Sequence, residues 1–91
     1  MKTKIWRFTL KLDDLVGLEM PQGAKVISVG QKEGSFPNID LWAEVDPTKL
    51  PELRQFAIYG TNHLHRHESQ SFIGTVITHP GLVWHVYEVT A

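Results

Sequence analysis

The chain has 91 residues, of which 42% are hydrophobic and 21% charged, and its formal net charge is −1. This composition predicts a single globular domain over residues 1–91, small enough to be marginally stable or to associate with copies of itself. The near-neutral charge gives no general attraction to nucleic acid, and the absence of cysteine excludes disulfides, thiolate nucleophiles and cysteine-based zinc sites. No apolar run approaches the ~18 residues of a membrane span, so we expect a cytoplasmic protein that does not enter the membrane.

The first half of the chain predicts three strands. Residues 5–12 alternate between apolar and polar side chains, which is typical of a half-buried strand and not of a signal peptide. Their inward-facing side chains are Trp6, Phe8, Leu10 and Leu12. The stretch DDLVGLEMPQGA is punctuated by glycine and proline and predicts a loop with one short apolar edge segment. KVISVGQKEG and NIDLWAEVD predict the next two strands, and Asp46-Pro47 ends the latter because proline cannot donate to a ladder.

The second half predicts three more strands. PTKLPELRQ contains the only plausible helical turn, with Thr48 as its cap. LRQFAIYG, SFIGTVITH and LVWHVYEV are strands, and His79-Pro80-Gly81 makes a tight connection between the last two. The last strand is apolar or aromatic on both faces, which predicts a central position in a sheet or contact with a partner chain. Six short strands predict an all-β fold, a compact antiparallel β-sandwich or small barrel with at most one short helical turn.

The segment GTNHLHRHES places three histidines, His63, His65 and His67, at alternate positions. In an extended segment they would point to one side, and imidazoles can bind zinc, nickel or copper. The polar neighbours, with Arg66 between the histidines, instead favour a solvated loop or a loop that faces a ligand. We expect no metal site and no cofactor. Thr61, His63 and Glu68 are close in sequence, but no nucleophile elbow or paired carboxylates accompany them, so we expect no catalysis.

The same segment could bind an anion. Gly60 and Thr61 offer backbone N–H groups in a turn, and Asn62, His63 and Arg66 add donors suited to phosphate or carboxylate. A second Gly-Thr pair, at positions 74–75, predicts a bulge or a close backbone approach inside a strand.

Besides hydrogen-bond donors, a ligand pocket needs a surface on which the ligand can stack, and aromatic residues can supply it. Trp42 lies on the strand face shared with Asp40 and Glu44, where it either covers a second layer or stacks on a ligand. His85 shares its face with apolar residues, which is more typical of a hydrogen-bonded core histidine than of a site. The full set of candidate ligand-binding residues is Gly60, Thr61, Asn62, His63, Arg66, Trp42, Tyr59, Arg54 and His85.

Five stretches occur in a characteristic order and spacing: MPQGAKVISV, LWAEVDP, GTNH, FIGT and GLVWHVYE. In these stretches the chain resembles a family of small phage and prophage proteins carried as a domain of unknown function. Members often have Gly-Thr-Gly-His where this chain has Gly60-Thr61-Asn62-His63, a mild departure because asparagine tolerates the left-handed conformation. His65 and His67 are not part of the family pattern, which argues against a shared metal site.

Two functional hypotheses follow. In the first, the protein is a small phage-type ligand-binding protein, for instance one that sequesters a phosphate-bearing, nucleotide-derived immune signal and so blunts host defence. This version rests on analogy with other phage proteins. In the second, it is a non-catalytic structural or interaction module of a phage or prophage. In either case the short chain and its two-faced last strand predict a homo-oligomer.

Overall fold

The computed structural model describes residues 3–78 and 81–90, which form seven β-strands and no helix. The strands are β1 (Lys4–Leu10), β2 (Leu15–Pro21), β3 (Lys25–Gly30), β4 (Ile39–Val45), β5 (Pro51–Gly60), β6 (Gln70–Thr78) and β7 (Leu82–Val89). His79 and Pro80 of the expected tight connection lie outside the described residues.

The strands form two sheets, one in the order β1-β4-β3 and one in the order β2-β5-β7-β6. Every pair of neighbouring strands is antiparallel. The two sheets pack face to face into a flat body with principal extents of 40 × 32 × 16 Å. The prediction of a compact antiparallel all-β fold is therefore confirmed.

The core lies between the two sheets and is built by the alternation of apolar side chains along each strand. β4, the middle strand of its sheet, buries Ile39, Leu41, Ala43 and Val45 on its inner face. The four-stranded sheet contributes Met20, Phe56, Ile58, Val76 and Val86 from its inner face. Burying one large aliphatic or aromatic side chain contributes roughly 1.5–3 kcal/mol, so these residues dominate the stability of the fold.

The structure adds one strand to the six expected. The segment from Leu15 to Pro21 pairs along its whole length with β5 and forms an edge of the four-stranded sheet. Gly17 and Pro21 had favoured a loop here. They are tolerated because an edge strand needs hydrogen-bond donors on one side only.

No helical turn precedes β5. Asp46 Oδ1 instead accepts hydrogen bonds from the backbone N–H of Thr48 (3.0 Å) and from its hydroxyl (2.7 Å), which closes a turn between β4 and β5. These two hydrogen bonds lower the pKa of the Asp46 carboxyl below its ordinary value. Pro51, which lies within the segment expected to form the helical turn, is the first residue of β5 and pairs with Pro21 at the end of the ladder.

The first and last strands differ in how well their position was predicted. Trp6 was expected inside the core but is 38% exposed, and it lies on β1, an edge strand of its sheet. Phe8 and Leu12 do pack against the core. β7 lies between β5 and β6, which confirms the central position predicted from its two apolar faces.

Candidate functional site

The turn after β5 is closed by a backbone hydrogen bond and folds the His63 ring back onto Gly60. The His63 N–H donates to the Gly60 carbonyl (3.2 Å), and Asn62 adopts a φ of 72°, in the left-handed region that asparagine tolerates. The Gly60 N–H donates to His63 Nδ1 (3.3 Å), and a Cβ on Gly60 would lie only 2.8 Å from Cε1 of that ring. Glycine is therefore needed so that the His63 imidazole can fold back against the strand end. Because Nδ1 accepts, the ring proton of the neutral imidazole is on Nε2.

The three histidines of the following segment do not converge. His63 turns onto Gly60, whereas the His65 ring stacks on Tyr59 with centroids 4.7 Å apart and meets Tyr87 edge-on at 5.1 Å. Among residues 3–78 and 81–90, no three histidine or carboxylate side chains are grouped as metal ligands. The alternation along the chain does not place the imidazoles together because the rings of His63 and His65 contact different residues.

Arg66 holds this segment against the outer face of the four-stranded sheet. Its guanidinium lies 4.3 Å from the centroid of the Tyr59 ring and donates to the carbonyls of Asp14 (3.0 Å) and Ile58 (2.8 Å). Its backbone N–H donates to the Tyr59 hydroxyl (3.1 Å), which in turn donates to Gln70 Oε1 (2.8 Å). Arg66 and Tyr59 were expected to face a ligand, but their polar atoms are engaged in closing the segment onto the sheet.

Trp42 belongs to the other sheet. It lies opposite Arg7 and Ser28 on the outer face of the three-stranded sheet, with one ring carbon 3.4 Å from where a Cβ of Gly30 would stand. The indole packs against the surface of the sheet at Gly30, which has no side chain of its own. Trp42 therefore packs within its own sheet and does not border the turn at Gly60.

Arg54 is also remote from that turn. It precedes Gly60 by six positions on β5, which corresponds to roughly 20 Å along a strand. Its guanidinium forms a two-pronged ion pair with Glu88 (2.6 and 3.0 Å) and donates to the Ala24 carbonyl (2.7 Å). The Glu88 carboxylate raises the pKa of Arg54 above its already high ordinary value. Arg54 thus ties β5, β7 and the start of β3 together.

The polar side chains that do meet come from three separate segments of the chain. The Thr61 hydroxyl lies 2.9 Å from Nε2 of His85, and the Thr75 hydroxyl lies 2.9 Å from Nδ1 of the same ring. Thr75 reaches this position because it is the cross-strand partner of His85 on the outer face, after a register shift between Phe72 and Gly74. We refer to Thr61, Thr75 and His85 as the Thr-His-Thr junction.

Thr75 is the functional candidate that sequence reasoning missed. The second Gly-Thr pair was interpreted as a backbone feature only, and that feature is present, since Val29 Cγ2 lies 2.7 Å from where a Cβ of Gly74 would be. The recurrence of Gly-Thr in two separate stretches was the one indication in the sequence. It becomes meaningful only once the strand register places both threonines around His85.

A surface depression of about 360 Å³ adjoins the junction. Its lining includes Gly60, Thr61, His63, Leu82, Val83 and Trp84. Trp84 also borders a second hollow of about 240 Å³ beside Asp13 and Asp14. The Trp84 Nε1–H is buried and has no hydrogen-bond partner among the described residues. Such an unpaired donor costs about 1–3 kcal/mol, so an acceptor at this position would be stabilising.

The chemistry of this region is that of hydrogen bonding without fixed charge. Hydroxyls and imidazoles can each donate and accept, while the two arginines expected here are engaged elsewhere. The hydrogen-bond partners of His85 in the described structure are two hydroxyls, and neither is a carboxylate. The His–carboxylate pair that orients a catalytic base in hydrolytic triads is thus not formed by these contacts.

The fold and this junction define a small two-sheet antiparallel β-sandwich with a polar corner at the end of β5. A family model described as Domain of unknown function (DUF7352) matches residues 1–91. The chain therefore belongs to this family. Comparisons with curated proteins and with solved structures find no significant match. Among the described residues, no helix is long and apolar enough to cross a membrane.

Proposed function

We propose that the protein binds a small phosphate-bearing molecule, without transforming it, in the depression beside the Thr-His-Thr junction. One observation carries the proposal: Thr61, which meets Thr75 through the His85 ring, lines a hollow that His63 and Trp84 also line. A concave site with a few convergent polar groups and an aromatic wall is the usual form of a small-molecule site.

The donors on the rim suit phosphate oxygens. His63 and Thr61 line the depression and carry an imidazole and a hydroxyl that can donate hydrogen bonds, and Trp84, also in the lining, carries a ring on which a nucleobase could stack. Contact between a base and an aromatic ring is worth about 1–3 kcal/mol. This chemistry supports a nucleotide-derived ligand more than a simple anion, because the described lining contains no arginine or lysine.

The absence of a carboxylate from the contacts of His85 supports binding over catalysis. The resemblance to phage proteins supports a specific biological version, in which the protein sequesters a nucleotide-derived immune signal in the cytoplasm of the host cell. That version is an inference from context, whereas the location of the site rests on the contacts described above.

Thermal unfolding in the presence of cyclic nucleotides and ADP-ribose derivatives tests the proposal. A ligand at about 100 times its dissociation constant adds about 2.7 kcal/mol to stability, which raises the Tm by several degrees in a domain of this size. His63→Ala should weaken the binding of that ligand at least about tenfold, since it removes a donor from the rim.

His67→Ala is the matched control, because it makes the same change in the same segment at a residue that does not line the depression. A panel without any Tm shift would refute the proposal. Equal loss of affinity in both variants would refute the site.

A second candidate, a non-catalytic interaction module of a phage or prophage, is favoured by uncovered apolar side chains far from the junction. Leu53 of β5 is 67% exposed and Leu15 of β2 is 42% exposed, and both project from the outer face of the four-stranded sheet. If the ligand panel gives no shift and solution mass shows a complex with a different protein that Leu53→Lys disrupts, this function replaces the first.

A further inference from the structure

Asp40 is a fully buried carboxylate on the outer face of the three-stranded sheet. Its Oδ1 accepts from Arg7 Nη1 (3.3 Å) and from the Thr9 hydroxyl (3.4 Å). Its Oδ2 accepts from the backbone N–H of Lys32 (2.7 Å). A buried charge is costly unless it is paired and hydrogen-bonded. Asp40 therefore holds β1 and the segment between β3 and β4, residues 31–38, in a fixed arrangement.

A hollow of about 420 Å³ lies where β1 meets this segment. Its lining includes Arg7, Thr9, Lys32, Glu33, Ser35 and Phe36. This volume lies within the range of small-molecule sites, about 300–1,000 Å³. The depression beside the Thr-His-Thr junction is lined by other residues, on β5, β7 and the turns that follow and precede them. The two hollows are therefore separate sites.

The charges around the hollow balance. Arg7 is paired with Asp40, and the lining adds one cation, Lys32, and one anion, Glu33. Within the described part of the chain, neither the Lys32 ammonium nor the Glu33 carboxylate forms an ion pair. A simple ion would gain little here, because its attraction to one charge is offset by repulsion from the other. The arrangement favours a neutral ligand.

The free polar groups both donate and accept hydrogen bonds. The Lys32 ammonium donates, the Glu33 carboxylate accepts, and the Ser35 hydroxyl does both. Among residues 3–78 and 81–90, none of these three side chains has a hydrogen-bond partner. A ligand that satisfies them must carry donors and acceptors side by side, which is a property of neighbouring hydroxyl groups.

Phe36 adds an apolar surface to the same lining. Its side chain is 55% exposed, and in the described structure its ring contacts no other aromatic ring. The C–H face of a sugar ring is apolar, so it can pack against an aromatic ring while the hydroxyls at its rim bond to polar side chains.

We propose that this hollow binds a neutral carbohydrate, whose hydroxyls are held by Lys32, Glu33 and Ser35 while one sugar ring packs on Phe36. Arg7 and Asp40 position the segment and do not need to contact the sugar. The site lies on the other sheet from the depression and is independent of the ligand proposed there. With so few contacts, we expect a dissociation constant on the order of 0.1–1 mM.

Amide chemical-shift titration of the isotope-labelled full chain tests the inference. The probes are maltotriose, cellotriose, mannotriose and chitotriose, each raised to about 10 mM, which is about ten times the weakest dissociation constant expected. At least one sugar should shift the amide signals of residues 32–36 saturably and leave those of residues 60–63 in place. Inorganic phosphate is titrated in parallel.

Two variants with matched controls test the contacts. Phe36→Ala should weaken binding at least about tenfold, whereas Phe72→Ala should not, because Phe72 is similarly exposed (58%) but lies on the four-stranded sheet. Lys32→Ala keeps the backbone N–H that Asp40 accepts and should weaken binding about threefold to tenfold. Lys49→Ala is its control, because Lys49 is also an exposed turn residue but does not line the hollow.

A sugar panel that leaves the signals of residues 32–36 unshifted overturns the inference. So does equal weakening by Phe36→Ala and Phe72→Ala. Saturable shifts of the same residues with phosphate and with none of the sugars would identify an oxyanion site and would also overturn it. None of these outcomes bears on the nucleotide panel, which reports on the depression at the other sheet.

Discussion

Arg54 illustrates how a residue suited to phosphate binding becomes a structural one. Its side chain is 15% exposed and that of Glu88 is 22% exposed, and the guanidinium contacts both carboxylate oxygens and the Ala24 carbonyl. A planar fork is needed to satisfy three acceptors at once, and a lysine ammonium cannot reproduce it. Arg54 is therefore expected to contribute to stability and not to ligand affinity.

Arg54→Lys should lower the free energy of unfolding by about 1–2 kcal/mol, because a partly buried carboxylate loses one of its two hydrogen bonds. Urea denaturation measures this loss. Affinity for any ligand found in the thermal panel should not change. Arg7→Lys is a suitable comparison, since the Arg7 side chain is 42% exposed and makes a single 3.3 Å contact with Asp40. A smaller loss in Arg54→Lys than in Arg7→Lys would contradict this role.

The segment from residue 61 to residue 69 behaves as an element without regular secondary structure. Arg66 anchors it to the carbonyls of Asp14 and Ile58, and His65 and Tyr59 add ring stacking. The segment thereby covers Tyr59, which is buried although it lies on the outer face of its sheet. The order of this segment depends on a few contacts at its centre.

Arg66→Ala should increase amide exchange across residues 61–69 without changing the protection of β4 and β5, because the removed contacts lie outside the core. Hydrogen exchange followed by mass spectrometry measures both regions. His67→Ala should leave exchange unchanged, as no ring or hydrogen-bond contact joins that side chain to the sheet in the described structure. Equal exchange in Arg66→Ala and wild type would mean that other contacts anchor the segment.

At the scale of the whole molecule, stability depends on one thin core between two sheets. A chain of this length has a free energy of unfolding of about 5–14 kcal/mol. Leu41 lies on the middle strand of the three-stranded sheet and is fully buried. Removing its side chain therefore affects the contact between both sheets.

Leu41→Ala should lower the free energy of unfolding by about 2–5 kcal/mol, through lost burial and the cavity that remains. Since the two sheets share this core, they should unfold together. Far-ultraviolet circular dichroism and tryptophan fluorescence should then give coincident urea transitions. Separate transitions would show that the sheets are independently stable. Ile27→Ala is the comparison, because Ile27 is 44% exposed and should cost much less.

The local features of the chain were largely predictable. Alternation of side chains along β4 identified its inner face correctly, and Asn62 adopts the left-handed conformation that asparagine tolerates. β2 was missed because an edge strand tolerates the glycine and proline that elsewhere indicate a loop. The helical turn was wrong because Asp46 accepts hydrogen bonds from Thr48 and so closes a non-helical turn.

The candidate site was only partly predictable. The turn at Gly60, Thr61 and His63 does border a hollow, and His85 contacts Thr61 of that turn. Trp42, Arg54 and Arg66 do not contribute free groups there. Their residue types were suited to the chemistry, but residue type does not state which sheet a strand joins or which partner occupies a guanidinium.

The sequence by itself determined that this is an all-β chain with a polar turn after a long apolar strand, because side-chain alternation and turn residues act over a few neighbouring positions. Only the tertiary structure decided that Thr61, Thr75 and His85 meet, that Trp42 lies on the other sheet, and that Asp40 is buried on the outer face of that sheet. These features depend on pairing between strands that are far apart in sequence. The free energy of such pairing comes from the shared core and not from any one segment.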